Sequence, residues 1–153
     1  SLLISSDGEK YSPEGMEEAI ADASRLIDQL IVHNNQNPYT VAIVVPNRDE
    51  LRRRAQSAGH DPAALARAIM GEIDAFRSGG LHGGEFPDRW LPSAAAIVDE
   101  AFTEQNGLVN STMKVVRSRV EEHFRDRIDA LYTPEGKRPD SPQNLASLKK
   151  LQE

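Results

Sequence analysis

The 153-residue chain contains no cysteine. That excludes disulfides, thiol nucleophiles and thiolate metal sites, and it fits a reducing compartment, so the cytoplasm is the expected location. Aromatic residues make up only 5% of the chain, and no apolar run reaches membrane-spanning length. The mean hydropathy is −0.53. Positive charge is in the minority: 18 Lys and Arg against 24 Asp and Glu leave a net charge of −6. A nucleic-acid partner is not expected of so acidic a chain. The N-terminus lacks the charged-then-apolar pattern of a secretory signal. His33, His60, His82 and His123 show no metal-ligand spacing, and no Ser/His/Asp arrangement is legible. There is no internal repeat.

What is present fits one domain with a core of its own. The chain opens inside an apolar run, Leu2-Leu3-Ile4. A piece of a longer polypeptide is therefore expected, with Ser1 a cloning remnant. Leu2 to Ile4 reads as a strand, Ser5 to Gly8 as a turn, and Glu9 to Tyr11 as the returning arm of a hairpin. Ser12 is then expected to cap a helix with Pro13 in its first position, and Met16 and Ile20 belong to its apolar stripe. Ile27 to His33 and Tyr39 to Val45 read as an antiparallel pair, joined by the polar connection Asn34 to Pro38.

Asn47 and Asp61-Pro62 open two further helices. Leu51 and Ala55 face inward on the first; Leu65, Ile69, Ile73 and Phe76 share one face of the second. Arg52, Arg53 and Arg54 form either a solvated face or a contact for an anion such as a CoA phosphate. Ser78 to Gly84 reads as a flexible glycine-rich loop that follows no strand and matches no phosphate-loop pattern. Trp90 is expected to pin the segment 78–92 to the core. Ala94 to Val98 is a third core strand. Val116, Val120, Phe124, Ile128 and Leu131 predict one helix, and Leu145, Leu148 and Leu151 a short terminal one.

The rest is organised around Phe102-Thr103-Glu104-Gln105-Asn106-Gly107-Leu108-Val109-Asn110-Ser111-Thr112-Met113-Lys114-Val115-Val116-Arg117. Lys114 has no acidic neighbour within several positions. A lone ammonium in a turn, with the hydroxyls of Ser111 and Thr112 beside it, suits charge developing on a phosphate or carboxylate oxygen. On chemistry alone, a solvated surface lysine explains it as well.

This stretch resembles the last signature of the AMP-forming acyl-CoA synthetases, specifically the long-chain fatty-acid branch. The matching features are the Asn106-Gly107-Leu108 turn, the Thr112-x-Lys114 step and Arg117 soon after. Leu2 to Glu18 resembles the segment that follows the hinge in the same enzymes. The resemblance runs from Leu2 to about Tyr132 and concerns the C-terminal mobile domain only. Many relatives carry glycine immediately before the lysine, where Met113 stands here; the long-chain branch tolerates other residues at that place. The hinge residue and its upstream arginine would precede Ser1.

The resemblance implies an α+β fold: a small N-terminal hairpin, then a roughly three-stranded sheet with packed helices, as in the C-terminal domain of adenylate-forming enzymes. Residues 1–133 would form the lid, with a loop insertion near 78–92, and residues 134–153 a linker and short terminal helix. A large N-terminal domain would be the partner, and fatty acid, ATP and CoA the substrates, with Mg2+ bound largely by that absent domain. Lys114 would be catalytic in adenylate formation. Gly8 would let the pantetheine arm of CoA pass close to the backbone, and Glu9 would line its path. On the residues alone, Gly8 is explained by its turn and Glu9 by exposure, and Arg117 either orients the loop by pairing with an acid or touches phosphate, the first being favoured.

The fragment alone is expected to be inactive. A fatty-acyl substrate allows peripheral membrane association, although no basic amphipathic helix argues for it. Two alternatives compete with this reading: the lid of a ligase for aryl or shorter acids, and a stand-alone α+β ligand-binding or regulatory module.

Overall fold

Strand β5 (Val41–Pro46) is buried along its whole length in the computed structural model, which describes residues 2–153. The proposed cloning remnant, Ser1, lies outside the described residues. On one side β5 pairs antiparallel with β3 (Ile27–His33), in the register Ile31↔Ile43; on the other it pairs parallel with β6 (Ala94–Ile97). The order β3-β5-β6 gives a three-stranded sheet with a covered centre and two edges.

Period-two alternation sorts the side chains of this sheet into two cores. Leu30, Val32, Ala42, Val44, Ala95 and Ile97 point to one face. They pack against helices α1 (Glu14–Ala23), α2 (Arg48–Ser57), α3 (Pro62–Asp74) and α6 (Pro142–Leu151). Ile31, Val41, Ile43, Val45, Ala94, Ala96 and Val98 point to the other face. There they meet Phe102, Leu108 and Val109 of the lysine stretch and two short helices, α4 (Arg117–His123) and α5 (Arg125–Ala130). The lysine stretch thus has a core of its own beneath it.

The expected hairpin is β1 (Leu3–Ser5) and β2 (Lys10–Tyr11), paired Leu3↔Tyr11. It gains a third strand that the sequence does not announce: β4 (Asn35–Asn37) lies parallel to β1. This polar segment reads as connection because none of its residues alternates in hydrophobicity; what recruits it is backbone pairing, such as Ile4 N–H to Asn34 C=O at 3.1 Å, together with the Asn34 side chain, which donates to the Tyr11 hydroxyl at 3.0 Å.

Three further expectations change. Pro13, not Ser12, is the residue flanking α1, because the Ser12 hydroxyl donates to the Glu14 carboxylate (2.9 Å) instead of accepting from the helix. The helix drawn through Val116 to Leu131 breaks at Phe124, whose φ of −107° and ψ of 26° separate α4 from α5. The glycine-rich loop is a closed run of turns rather than an open tether. His82 N–H reaches Ala75 C=O at 2.8 Å, and a Cβ on Gly80 would lie 2.4 Å from the Ala75 carbonyl oxygen. Close backbone approach explains glycine there.

Asn47 and Asp61 cap α2 and α3 as their side chains predict, accepting from Glu50 N–H and Ala63 N–H. The terminal helix α6 is docked. Leu148 and Leu151 are buried as expected, Leu145 is only half-buried, and Asn144 is the deeply placed residue.

Both edges of the large sheet are closed by side chains. At β3, Glu17 accepts from Val32 N–H (2.7 Å) while Arg117 donates to Val32 C=O (3.0 Å). At β6, Asn144 accepts from Ile97 N–H (2.8 Å) and donates to Ala95 C=O (2.9 Å), and Arg127 donates to Ile97 C=O (3.1 Å). Unpaired strand edges invite pairing with other chains, and here side chains take up the edge groups of Val32, Ala95 and Ile97.

Candidate functional site

The stretch from Phe102 to Arg117 is fixed at several points before it reaches Lys114. The Gln29 side-chain amide pairs with both backbone groups of Phe102, at 2.9 and 3.0 Å. The Asn106 side chain accepts from Thr103 N–H and Leu108 N–H (3.0 and 3.1 Å) and donates to Ala101 C=O (2.8 Å). Arg119 donates to Gly107 C=O at 3.1 Å. Val109 and Val115 then bridge antiparallel, and Val116 N–H reaches Leu108 C=O at 2.9 Å. The chain between those two valines has no choice but to turn back on itself.

The tip is shaped by Asn110. Its side-chain oxygen accepts from Thr112 N–H (3.0 Å), the Thr112 hydroxyl (2.7 Å) and Lys114 N–H (3.0 Å), and its carbonyl accepts from Met113 N–H at 2.9 Å. Short polar side chains bind nearby backbone in this way and so favour turns. The turn forces Met113 to a φ of +65°, which for a residue with a Cβ costs about 1–2 kcal/mol. The resemblance puts glycine at this place in many relatives, and the left-handed backbone supplies the physical reason.

Lys114 itself is exposed, and its ammonium makes no hydrogen bond or ion pair within the described residues. Arg117, three positions on, does the opposite. Both its terminal nitrogens donate to Glu17, at 2.6 and 2.7 Å, and the pair is largely shielded from solvent. Burial works against the Arg117 charge, but the Glu17 hydrogen bonds outweigh it and its pKa is raised. The positioning role that the residues alone give Arg117 matches this geometry. Of the two hydroxyls expected to support the turn, that of Thr112 does so through Asn110. The roles of Asn110 and Glu17 here are not evident from the sequence; the Asx-turn spacing Asn110-x-Thr112 is a signal for the first, whereas Glu17 reads locally only as a carboxylate in the first turn of α1.

The two other predicted site residues sit in the β1–β2 turn. Gly8 has a φ of +91°, and no atom lies within 4 Å of where a Cβ would stand. The turn therefore requires its conformational freedom, while the space beside it stays open. Glu9, which the residues alone leave exposed, is occupied. Arg89 donates to both its oxygens at 2.8 and 2.7 Å, and Trp90 Nε1–H donates at 3.1 Å. Those hydrogen bonds, led by Arg89, hold the Glu9 carboxyl below its usual range. Trp90 also stacks on Tyr11, with ring centroids 5.3 Å apart and planes 12° from parallel. The segment 78–92 is pinned to the hairpin through this tryptophan, as expected.

Arg53 of the basic triplet pairs with Glu50 at 2.7 Å, and all three arginines are exposed. An open groove of about 420 Å3 beside the lysine loop is lined by Asn106, Gly107, Leu108, Arg119, Glu122 and His123. No group of three or more His, Cys, Asp or Glu among the described residues is placed to hold a metal ion.

The structure is thus an α+β unit with one exposed ammonium, unpartnered among the described residues, at the tip of a braced hairpin. The chain belongs to the family of AMP-binding enzyme C-terminal domains, whose sequence pattern matches residues 1–77. Among individual proteins it is similar to long chain acyl-CoA synthetase 8 of Arabidopsis thaliana: 27% identical over 129 residues, covering 80% of this chain and 18% of that protein. It is also 30% identical over 131 residues to a chloroplastic long-chain-fatty-acid–[acyl-carrier-protein] ligase of the same plant, covering 86% of this chain and 16% of that one.

The fold superimposes on the adenylation domain of a carboxylate reductase from Mycobacterium chelonae with a TM-score of 0.73 at 28% identity, covering 86% of this chain and 19% of that one. The chain thus spans less than a fifth of the length of the curated relatives named here.

Proposed function

We propose that this chain is the C-terminal lid of a long-chain fatty-acid–CoA ligase and that Lys114 is its catalytic residue. The observation that carries the reading is the exposed ammonium, unpartnered among the described residues, on a hairpin braced through Asn110 and Arg117. Membership of the AMP-binding C-terminal family and the similarity to a long chain acyl-CoA synthetase support it.

In the whole enzyme a fatty-acid carboxylate oxygen attacks the α-phosphorus of ATP. An acyl-adenylate forms and pyrophosphate leaves. Mg2+ arrives with ATP on the large domain. Negative charge concentrates on the carboxylate and α-phosphate oxygens in the transition state, and the Lys114 ammonium hydrogen-bonds them there. A cation positioned in advance needs no reorganisation at that moment, which is why it lowers the barrier. The lid then rotates. Lys114 leaves, and the turn around Gly8 faces the adenylate. The CoA sulfur attacks the acyl carbonyl carbon and AMP departs. The open space beside Gly8 supports passage of the pantetheine arm. Glu9 acts through Arg89 and Trp90, holding the turn in place.

Lys114→Ala in the full-length protein tests this. Adenylate formation, read as pyrophosphate exchange, is expected to fall about a hundredfold or more, while thioester formation from supplied acyl-adenylate is largely spared. Equal loss of both half-reactions sinks the reading.

A second reading takes a carrier-protein thiol as acceptor in place of CoA. It is favoured by the relative whose name specifies an acyl-carrier-protein ligase. Offering the full-length protein CoA and a carrier protein with its thiol free, side by side, separates the two. A panel of aryl, short and long acids fixes the acid class, because the acid would bind in the large domain.

A further inference from the structure

Met113 is 74% exposed, one of three large hydrophobic side chains so placed among the described residues, with Leu2 and Leu81. It alone stands next to Lys114. Within this domain it contributes little burial: three quarters of it stands in solvent, and its backbone is held in a conformation that glycine adopts more cheaply. A turn that only had to carry Lys114 would do better with glycine. The rest of the loop is fixed through Gln29, Asn106, Asn110 and Arg117, so the tip's position is transmitted rigidly to whatever it meets.

Resting on the reading above, we propose that Met113 is a positioning residue for adenylate formation. It seats the tip by entering an apolar recess of the large domain of the same polypeptide, beside the reaction centre that receives Lys114. The occupant is argued from adjacency: Met113 is joined directly to Lys114, and both are exposed at the tip of the same turn. Most of the length of a relative lies outside this chain, so such a surface has room to exist. An unbranched thioether adapts to an irregular recess. Seated there, it excludes water around the ammonium, and in the drier site the attraction between Lys114 and the phosphate oxygens is stronger.

Three variants of the full-length protein test this: Met113→Gly, Met113→Gln and Met113→Leu. Gly keeps the turn and removes the side chain; Gln keeps the shape and adds polarity; Leu keeps the apolar volume. Adenylation kcat/KM is expected to fall about tenfold for Gly and Gln. Thioester formation from supplied acyl-adenylate should not change, and Leu should stay near the parent in both half-reactions. The melting temperature of Met113→Gly should not drop, which separates loss of seating from loss of folding.

Parent-like adenylation by both Gly and Gln overturns the proposal, as does equal loss of both half-reactions. A parallel Lys114→Ala arm separates the two levels. If Lys114→Ala cripples adenylation and the Met113 variants do not, only the seating role fails. If Lys114→Ala is also silent, the catalytic reading fails and takes this one with it.

Discussion

Arg117 and Glu17 lie a hundred residues apart in the chain and meet in a forked pair, at 2.6 and 2.7 Å, around the backbone of Val32. The pair does three things at once. It closes the β3 edge of the sheet, ties α1 on one face to α4 on the other, and fixes the exit of the lysine hairpin. Glu17→Ala is therefore expected to destabilise the domain by about 3 kcal/mol, because a shielded guanidinium loses its counter-charge. Arg117→Lys should cost about 1–2 kcal/mol, since an ammonium cannot make both contacts of the fork. Urea unfolding of the two variants checks the order; an Arg117→Lys change as costly as Glu17→Ala contradicts it.

Lys114 should be silent in the same assay. Its ammonium has no partner among the described residues, so Lys114→Ala is expected to move stability by no more than about 0.5 kcal/mol. Any loss of adenylation in that variant is then a loss of chemistry, and a melting curve beside each kinetic trace shows it.

Asn144 is the opposite case. Its buried amide makes four contacts, to Ile97 N–H, Ala95 C=O, Pro139 C=O and Arg127, at 2.8, 2.9, 3.0 and 2.6 Å. Asn144→Leu leaves those groups without partners under α6, at a cost of about 2–4 kcal/mol. Faster hydrogen exchange at Ile97 and through α6, with β3 unaffected, is the expected pattern.

Glu9 gives a pH signature. Its carboxyl is held below the usual range by Arg89, so the contact persists above the ordinary carboxylate pKa of about 4.3 and is lost as the pH falls through the lowered folded-state value. Trp90 reports on it through Nε1–H (3.1 Å). Its fluorescence should change only in that acid range, and Glu9→Gln should abolish the step. A change centred well above the carboxylate range contradicts the assignment.

Much of this architecture was legible. The almost uniformly apolar run Tyr39 to Val45 reads as a covered strand, which the fold realises from Val41, Asn47 and Asp61 carry their caps in their own side chains, and the apolar stripe through Leu65 to Phe76 fixes the buried face of α3. Lys114 is conspicuous in the sequence because no acidic residue lies within several positions of it and the hydroxyls of Ser111 and Thr112 are close by. What stayed hidden was long-range and polar. Asn35 to Asn37 become a strand only when β1 lies beside them, and nothing near Asn144 says that an amide will complete the edge of β6. The length of the last helices was misread for a related reason: the stripe from Val116 to Leu131 marks what is buried, and a break at Phe124 leaves that stripe intact.

The order of elements, the identity of the core and the isolation of one lysine followed from local periodicity and charge, because each of those effects acts within a few residues. Which carboxylate would hold Arg117, which arginine would claim Glu9, and that Met113 would stand out in water beside Lys114 were settled by the packing of the two faces. Those pairings join segments whose separation along the chain carries no signal, and only closure of the core brings them within reach.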